Sequence, residues 1–425
     1  MKITTSLRSS NIQSSILIGI LAFSLANLRG TVFWSLLKQG FQITALPWIE
    51  VFLWVALGIL TAQALIQADL LQSYASAWKK NWILLPFMII AVLSLLWTIS
   101  ISATLYKLAA LMFSSLVGAY LGSRYSIAGL LNVLFRFGSL LLILCFVLAV
   151  FLPILGAMMY EPYNGAWRGV FWHKNQFGGV AALFSMVFLI RLLDAIGKAN
   201  GKPIVDLVFY LFAGVNVFFS KSVAGYLLFI LMTFIVLLVF IWLRIRRYLK
   251  PIHYYGAFGI GSAALLLIVF NLDLIFGLFN RDTSLTGRIP LWNYLIRDIV
   301  GQRPWLGYGL GAIWSFASFR IAIQQVVGWG FPVAIADNGF LDILLHVGVI
   351  GLIFFVLILL TVFARSYRYA FQHLSLPAFF PLLLLIFVFF ANLTFSFFLE
   401  TETFIWMLIV AVLFSLTKPG QPTAG

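Results

Sequence analysis

Charge is what this sequence has least of. Only 9% of its 425 residues are Asp, Glu, Lys or Arg, against roughly a quarter in soluble domains. That excludes an ordinary soluble domain. Hydrophobic residues make up 63% of the chain and Phe alone occurs 43 times, so much of the apolar surface has to face lipid. Strict alternation of apolar and polar residues is also missing. The apolar runs extend over about 17–25 residues, which selects spanning helices over a barrel, since backbone amides in hydrocarbon must be paired. There is a single cysteine, Cys145, so no disulfide can form within the chain. Acids are few, 12 against 27 Lys and Arg, and the formal charge is +15. The excess does not point to nucleic acid. The basic residues stand singly or in small clusters between apolar runs, the pattern of a positive-inside membrane protein.

What is there is a chain of helical spans. The hydropathy pattern places them near 12–28, 45–67, 82–99, 104–121, 130–155, 176–194, 204–220, 224–243, 256–278, 339–364, 378–396 and 404–417. The expectation is an all-α polytopic membrane protein of about 12 spans, a single transmembrane domain over residues 1–425. One large external loop, 279–338, lies between spans 9 and 10. Lys2 and Arg8 precede the first run without a small-residue cleavage site, which reads as a retained span rather than a signal peptide. With both termini cytoplasmic, the even-numbered connections carry Lys79, Lys80, Arg124, Lys198, Lys202, Arg244, Arg246, Arg247, Lys250, Arg365 and Arg368, as the orientation rule requires. No charge falls at a span midpoint, which disfavours a proton relay or ion pump.

The other side is unusual because it keeps many cations, among them Arg168, Lys174, Lys221, Arg288, Arg303 and Arg320. A loop near sixty residues escapes the orientation rule. The remaining excess suggests an anionic ligand. Two segments concentrate it. Residues 156–175 end in Arg168, His173, Lys174 and Asn175 at the mouth of span 6, where a helix N-terminus and a lysine could hold a phosphate. The alternative is an interfacial belt, with Trp167 and Trp172 at the headgroups and Lys174 snorkelling.

In the long loop, residues 286–300 read as a helix capped by Thr286 and stopped at Gly301, with an apolar stripe of Ile289, Trp292, Ile296 and Ile299. Arg288 sits in its first turn, where the helix dipole disfavours it, so a separate anionic partner is expected. Gly307, Gly309 and Gly311 allow positive φ or close backbone approach. As a phosphate loop they are a weak signal, and a plain turn is the stronger reading. Residues 312–327 suggest an amphipathic helix lying on the membrane, with Arg320 on its polar side. Asn338, Asp342 and His346 follow at i, i+4 and i+8 on one face of span 10, with His346 on the order of 12 Å below Asn338. The alternatives are an N-cap for Asp337 or Asn338 and a structural pair for Asp342 and His346. Asn216, Ser220, Asn271, Asn392 and Glu400 also gather in the outer halves of their spans, as a cavity open on that side would require.

These residues resemble the O-antigen ligase/polymerase family of bacterial membrane glycosyltransferases, nearest its exopolysaccharide-polymerase branch. The resemblance is carried by Trp167-Arg168-Gly169, His173-Lys174-Asn175, Gly287-Arg288, Pro304 to Gly309, and Asn338 to Gly348. It implies a GT-C-like helical architecture with a large periplasmic loop, in the bacterial plasma (inner) membrane. It implies inverting, metal-independent transfer or polymerisation of a polyprenyl-diphosphate-linked oligosaccharide onto a glycan or lipid-core acceptor, with no cofactor. Other polysaccharide-assembly proteins are implied partners alongside the bilayer. The implied catalytic residues are Asp337 as base, Arg288 at the leaving diphosphate and His346, with His173 as a second fallback base. Arg168, His173, Lys174, Asn175, Lys221, Asn338 and Asp342 are the implied substrate contacts. Two departures stand out: Asp337 stands where ligases carry His, which makes the polymerase-like members the better comparison, and Lys221 stands where the family often has Arg. The rival reading is a small-anion transporter, such as one for bicarbonate.

Overall fold

The computed structural model describes residues 71–161, 163–196, 198, 203–249, 287–328, 333–393, 395–398 and 404–417. Among them there is no β-strand, only an isolated bridge between Ala157 and Trp167. The spans read at 12–28 and 45–67, and that at 256–278, lie outside the described residues, as do Thr286 and Glu400.

The helices run in the order α1 Leu71–Lys80, α2 Leu84–Leu93, α3 Ile101–Arg124, α4 Ile127–Phe151, α5 Lys174–Ile196, α6 Pro203–Phe219 and α7 Val223–Ile245. Within the external loop lie α8 Arg288–Tyr294 and α9 Ala317–Val327, and after it come α10 Gly339–His373, α11 Leu376–Asn392 and α12 Phe404–Ser415. Five of these are long and apolar enough to cross a membrane, and up to six if a bent pair counts as one. That pair turns through 88° between Lys80 and Leu84, so residues 71–80 form a helix where the sequence map has only a connection. Shorter apolar helices are α6, α11 and α12. This is an integral membrane protein built of helices.

Its packing follows from small residues. Every residue of α12 is buried, although the helix is only 12 residues long. It reaches the centre because α3 presents Gly118 and Gly122 to it. A Cβ at Gly122 would stand 2.2 Å from the Ala411 carbonyl oxygen, so only glycine allows that approach. Trp406 then donates its indole N–H to Ser115 Oγ at 2.7 Å, which satisfies a polar group that hydrocarbon could not. Arg191 in α5 is likewise neutralised by Asp206 in α6 at 2.8 Å.

The long α10 is not continuous. Gly348 has φ 68 and ψ −171, and the turn around it is opened by residues 304–309 of the external loop. Tyr308 and Gly309 donate N–H to the carbonyls of Leu345 and His346 at 2.9 and 3.0 Å, and Val349 and Ile350 donate to Pro304 and Trp305 at 2.9 and 3.3 Å. The backbone groups released by the break are thus paired within protein, the condition for irregular backbone at membrane depth. Gly307, Gly309 and Gly311 all have positive φ, so the glycine reading of positive φ and close approach holds, in a loop that docks on α10.

Two details of that loop differ from the sequence reading. The α-helix ends at Tyr294 and continues as a π turn over Leu295–Ile299 and a 3-10 turn over Val300–Gln302, so Gly301 is not the stop. The wider π turn rotates the buried face. Leu291, Leu295, Ile299 and Val300 are buried, whereas Ile289 and Ile296 are exposed. These four pack with Tyr308, Ile313, Trp314, Ile323 and Val333 and with Leu341 and Leu345 of α10 into a second, smaller core. The helix read over 312–327 starts only at Ala317, and Ile323 is its buried residue; Arg320 donates to the Val333 carbonyl.

Candidate functional site

Residues 157–173 form a hairpin-like cap over the ends of α4 and α5. Met158 and Ala166 pair through N–H to carbonyl at 2.8 Å, Arg168 and Gly169 both donate to the Gly156 carbonyl, and Trp167 donates to Phe219 at the end of α6. Trp167 also stacks on Phe219 with centroids 4.5 Å apart. It is held by protein, while Trp172 is exposed and suits the interfacial role. Gly169 is required here: its φ is +57 and a Cβ would meet Cys145 Sγ at 2.4 Å.

His173 lies within electrostatic reach of three cations. Its ring lies edge-on to Tyr163 at 5.2 Å. The Asn175 N–H donates to Nδ1 at 3.2 Å, which leaves the imidazole proton on Nε2. Burial pulls its pKa down to about 3, and the positive charges of Lys174, Arg288 and Arg168 push in the same direction. Arg288 comes from the external loop, more than a hundred residues away in sequence, so its influence on His173 ties the two cationic segments into one region. A histidine so depressed is neutral and a weak base; it fits a hydrogen-bond donor better than the fallback base read from the sequence.

Each cation is differently employed. Lys174 is buried. Its ammonium donates to the Lys221 carbonyl at 2.5 Å and sits 5.1 Å from the Tyr163 ring centre, so it braces the cap as much as it charges it. Lys221 has φ 49 and donates from Nζ to the Asn164 carbonyl at 3.1 Å. Asn175 accepts from Ser222 Oγ at 3.1 Å, which fixes the start of α5 to the α6–α7 turn. Arg168 has a buried Nε with no hydrogen-bond partner among the described residues. Burial also lowers its pKa, yet an arginine stays charged at any neutral pH.

Arg288 donates from Nε to Asp337 Oδ2 at 3.0 Å, and both side chains are about one-sixth exposed, at 17% and 16%. Asp337 occupies the left-handed region with φ 51. The residue before it is fixed on both sides: Trp292 donates to the Ala336 carbonyl at 2.8 Å, and the Ala336 N–H donates to the Asp342 carboxylate at 3.2 and 3.3 Å. Asn338 is an N-cap, its side chain accepting from Phe340 and Leu341. Asp342 is 2% exposed and is surrounded by protein donors: Trp314 Nε1 at 2.8 Å, the Ala336 N–H, and Ser396 Oγ. His346 is fully buried beside the break in α10.

The sequence-derived residues therefore divide in two. Arg168, His173, Lys174, Asn175, Lys221, Arg288 and Asp337 surround one electropositive region. Asn338 and Asp342 fix the chain that carries Asp337, through the α10 N-cap and the Ala336 N–H, while His346 is buried further along α10. Sequence reasoning missed Tyr163, Trp314, Ser222 and Ser396, and read Trp292 only as part of an apolar stripe. No spacing signal marks them, because each acts on a partner from another segment.

Comparison with known proteins agrees with the resemblance. A family described as O-antigen ligase matches residues 208–356, from α6 through the external loop to the middle of α10. That stretch contains Lys221, Arg288, Asp337, Asn338, Asp342 and His346, while Arg168, His173, Lys174 and Asn175 precede it. The exopolysaccharide production protein ExoQ of Rhizobium meliloti (strain 1021) is 27% identical over 231 residues, 49% of this chain and 49% of that protein. The chain thus aligns with about half the length of that relative. Both comparisons support the O-antigen ligase and exopolysaccharide polymerase family.

Proposed function

We propose, from the chain's likeness to the O-antigen ligase and exopolysaccharide polymerase family, that it transfers or polymerises a polyprenyl-diphosphate-linked oligosaccharide onto an acceptor glycan. The reaction takes place at the outer face of a bacterial inner membrane, with both termini in the cytoplasm, in a GT-C-like bundle of about 12 spans. The observation that supports the reading is the Arg288–Asp337 ion pair at 3.0 Å, with Lys174, Arg288 and Arg168 all exerting an electrostatic effect on His173.

An acceptor hydroxyl oxygen attacks the anomeric carbon. The new C–O bond forms as the bond from that carbon to the diphosphate oxygen breaks, and the bond's electron pair leaves with the diphosphate. Cations placed in advance act most strongly where that charge develops, so no metal ion is needed in this scheme. Arg288 has five N–H donors in a planar fork, of which the Asp337 contact uses one; the rest suit phosphate oxygens. Arg168, with its unpartnered Nε, supplies the second guanidinium. Asp337 is assigned as the base that takes the hydroxyl proton, a role that requires it to come within hydrogen-bond reach of that hydroxyl. Neutral His173 donates from Nε2 to the substrate. Asp342 is assigned a positioning role, through Ala336. The small-anion transporter reading finds no support in the comparisons.

The test is purified protein incubated with a lipid-linked repeat unit and an acceptor glycan, followed by product sizing. Extended glycan with release of polyprenyl diphosphate is expected. Intact donor after prolonged incubation with both substrates would exclude the assignment.

A further inference from the structure

The opposite end of the bundle carries a second cationic site that the glycosyl-transfer reading does not use. Lys79 and Lys80 end α1, Arg365 and Arg368 come from the far part of α10, and Thr417 follows α12. Together with Trp82 and Tyr369 these line a cavity of about 510 Å³. A second cavity of about 400 Å³ shares Arg365 and Arg368 and continues along Leu357, Leu360, Thr361 and Ala364. The two cavities share that arginine pair, and the second is otherwise lined by Leu357, Leu360, Thr361 and Ala364.

The cations are brought there by specific bonds. Arg365 donates to the Lys80 carbonyl at 3.1 Å and to Asn81 Oδ1, and Lys80 donates to the Thr417 carbonyl. Among the described residues no Asp or Glu pairs with Lys79, Lys80, Arg365 or Arg368. Among the described residues, four cations without an acidic partner, two from α1 and two from α10, therefore line one opening. Leu357 and Leu360 are exposed at 40% and 56%, and Leu357 lies eight residues before Arg365, about 12 Å along the helix.

We propose that this pair of cavities binds one anionic phospholipid, its phosphate held by Arg365, Arg368, Lys79 and Lys80 and an acyl chain laid on Leu357 and Leu360. Charge complementarity selects the headgroup, as basic hollows between membrane helices do. The apolar continuation selects a lipid over a soluble phosphate. Scattered basic residues that merely orient spans require neither convergence from separate helices nor an apolar lining beside them.

The test is native mass spectrometry of the full-length protein in detergent with added phosphatidylglycerol or phosphatidylcholine. Phosphatidylglycerol adducts should persist and phosphatidylcholine adducts should not. Lys79→Gln with Arg368→Gln should lower phosphatidylglycerol affinity about 25-fold, roughly fivefold for each cation. Lys79→Arg with Arg368→Lys should retain it, which separates loss of charge from loss of fold. Equal retention of both lipids, or unchanged affinity in the glutamine variant, overturns the proposal. Displacement of the lipid by equimolar inorganic phosphate does so too, by showing a soluble-anion site. Glycosyl transfer by the glutamine variant is measured separately, so failure of this site does not bear on the reaction.

Discussion

Arg288 and Asp337 meet at 3.0 Å across 49 residues of external loop. That contact places a forked cation and a carboxylate side by side at the edge of the region around His173. The pair explains why an arginine is kept in the first turn of α8, where the helix dipole opposes it. Arg288→Ala is expected to lower turnover about 100-fold or more, and Arg288→Lys about tenfold, because lysine keeps the charge and loses the fork. Rates of product formation in proteoliposomes, normalised to folded protein, check the order.

Asp342 should matter more to stability than to substrate affinity. Asp342→Asn weakens charge-assisted bonds from Trp314, Ser396 and the Ala336 N–H, which costs about 1.5–3 kcal/mol. Trp314→Phe removes one of the same bonds, so the two changes should be sub-additive by about 1 kcal/mol. A double-mutant cycle of thermal unfolding in detergent measures the coupling; simple additivity would mean the bond contributes nothing.

His173 gives a pH dependence with a definite sign. Its folded pKa, about 3, lies below the ordinary value of 6.5, so between those values the unfolded chain binds more protons. Stability then falls as the pH drops from about 6.5 toward 3. His173→Gln should flatten that part of the curve. Above pH 6.5 the wild type should show no slope from this residue, and turnover should show no limb from its titration. Unfolding midpoints across pH 4–8 for both proteins decide it.

The break in α10 cannot accept a side chain. At Gly348 the φ is positive and a Cβ would lie 2.2 Å from the Trp305 carbonyl oxygen. Gly348→Ala should cost roughly 1–3 kcal/mol in backbone strain alone, with the steric clash added. It should release residues 304–309 from α10. Faster hydrogen exchange at Tyr308 and Gly309, whose amides bond across the break, is the expected signature.

Much of the helical framework was legible because lipid imposes a local rule: apolar length decides a span. The runs read at 104–121, 176–194 and 224–243 appear as α3, α5 and α7, each extended by a few residues at its ends. The apolar stripe was right for Trp292 and Ile299, which pack into the second core; beyond Tyr294 a π turn changes the period and leaves Ile296 exposed, and periodicity assumes one period. The break at Gly348 was invisible because its cause lies in Pro304 to Gly309, far away in sequence. At the site, the cationic residues could be picked out by type and placement. Their supports could not: Trp314 and Ser396 reach Asp342 from 28 and 54 residues away, and no spacing rule connects such pairs.

The central claim is that guanidinium groups from two distant segments share one diphosphate. Its most direct measurement is the affinity of the purified protein for undecaprenyl diphosphate in wild type, Arg168→Ala, Arg288→Ala and the double variant. Each single change should weaken binding about tenfold, the size of a charge-assisted hydrogen bond, with the double variant departing from additivity because both contact the same group. Wild-type affinity in all three variants would contradict the account.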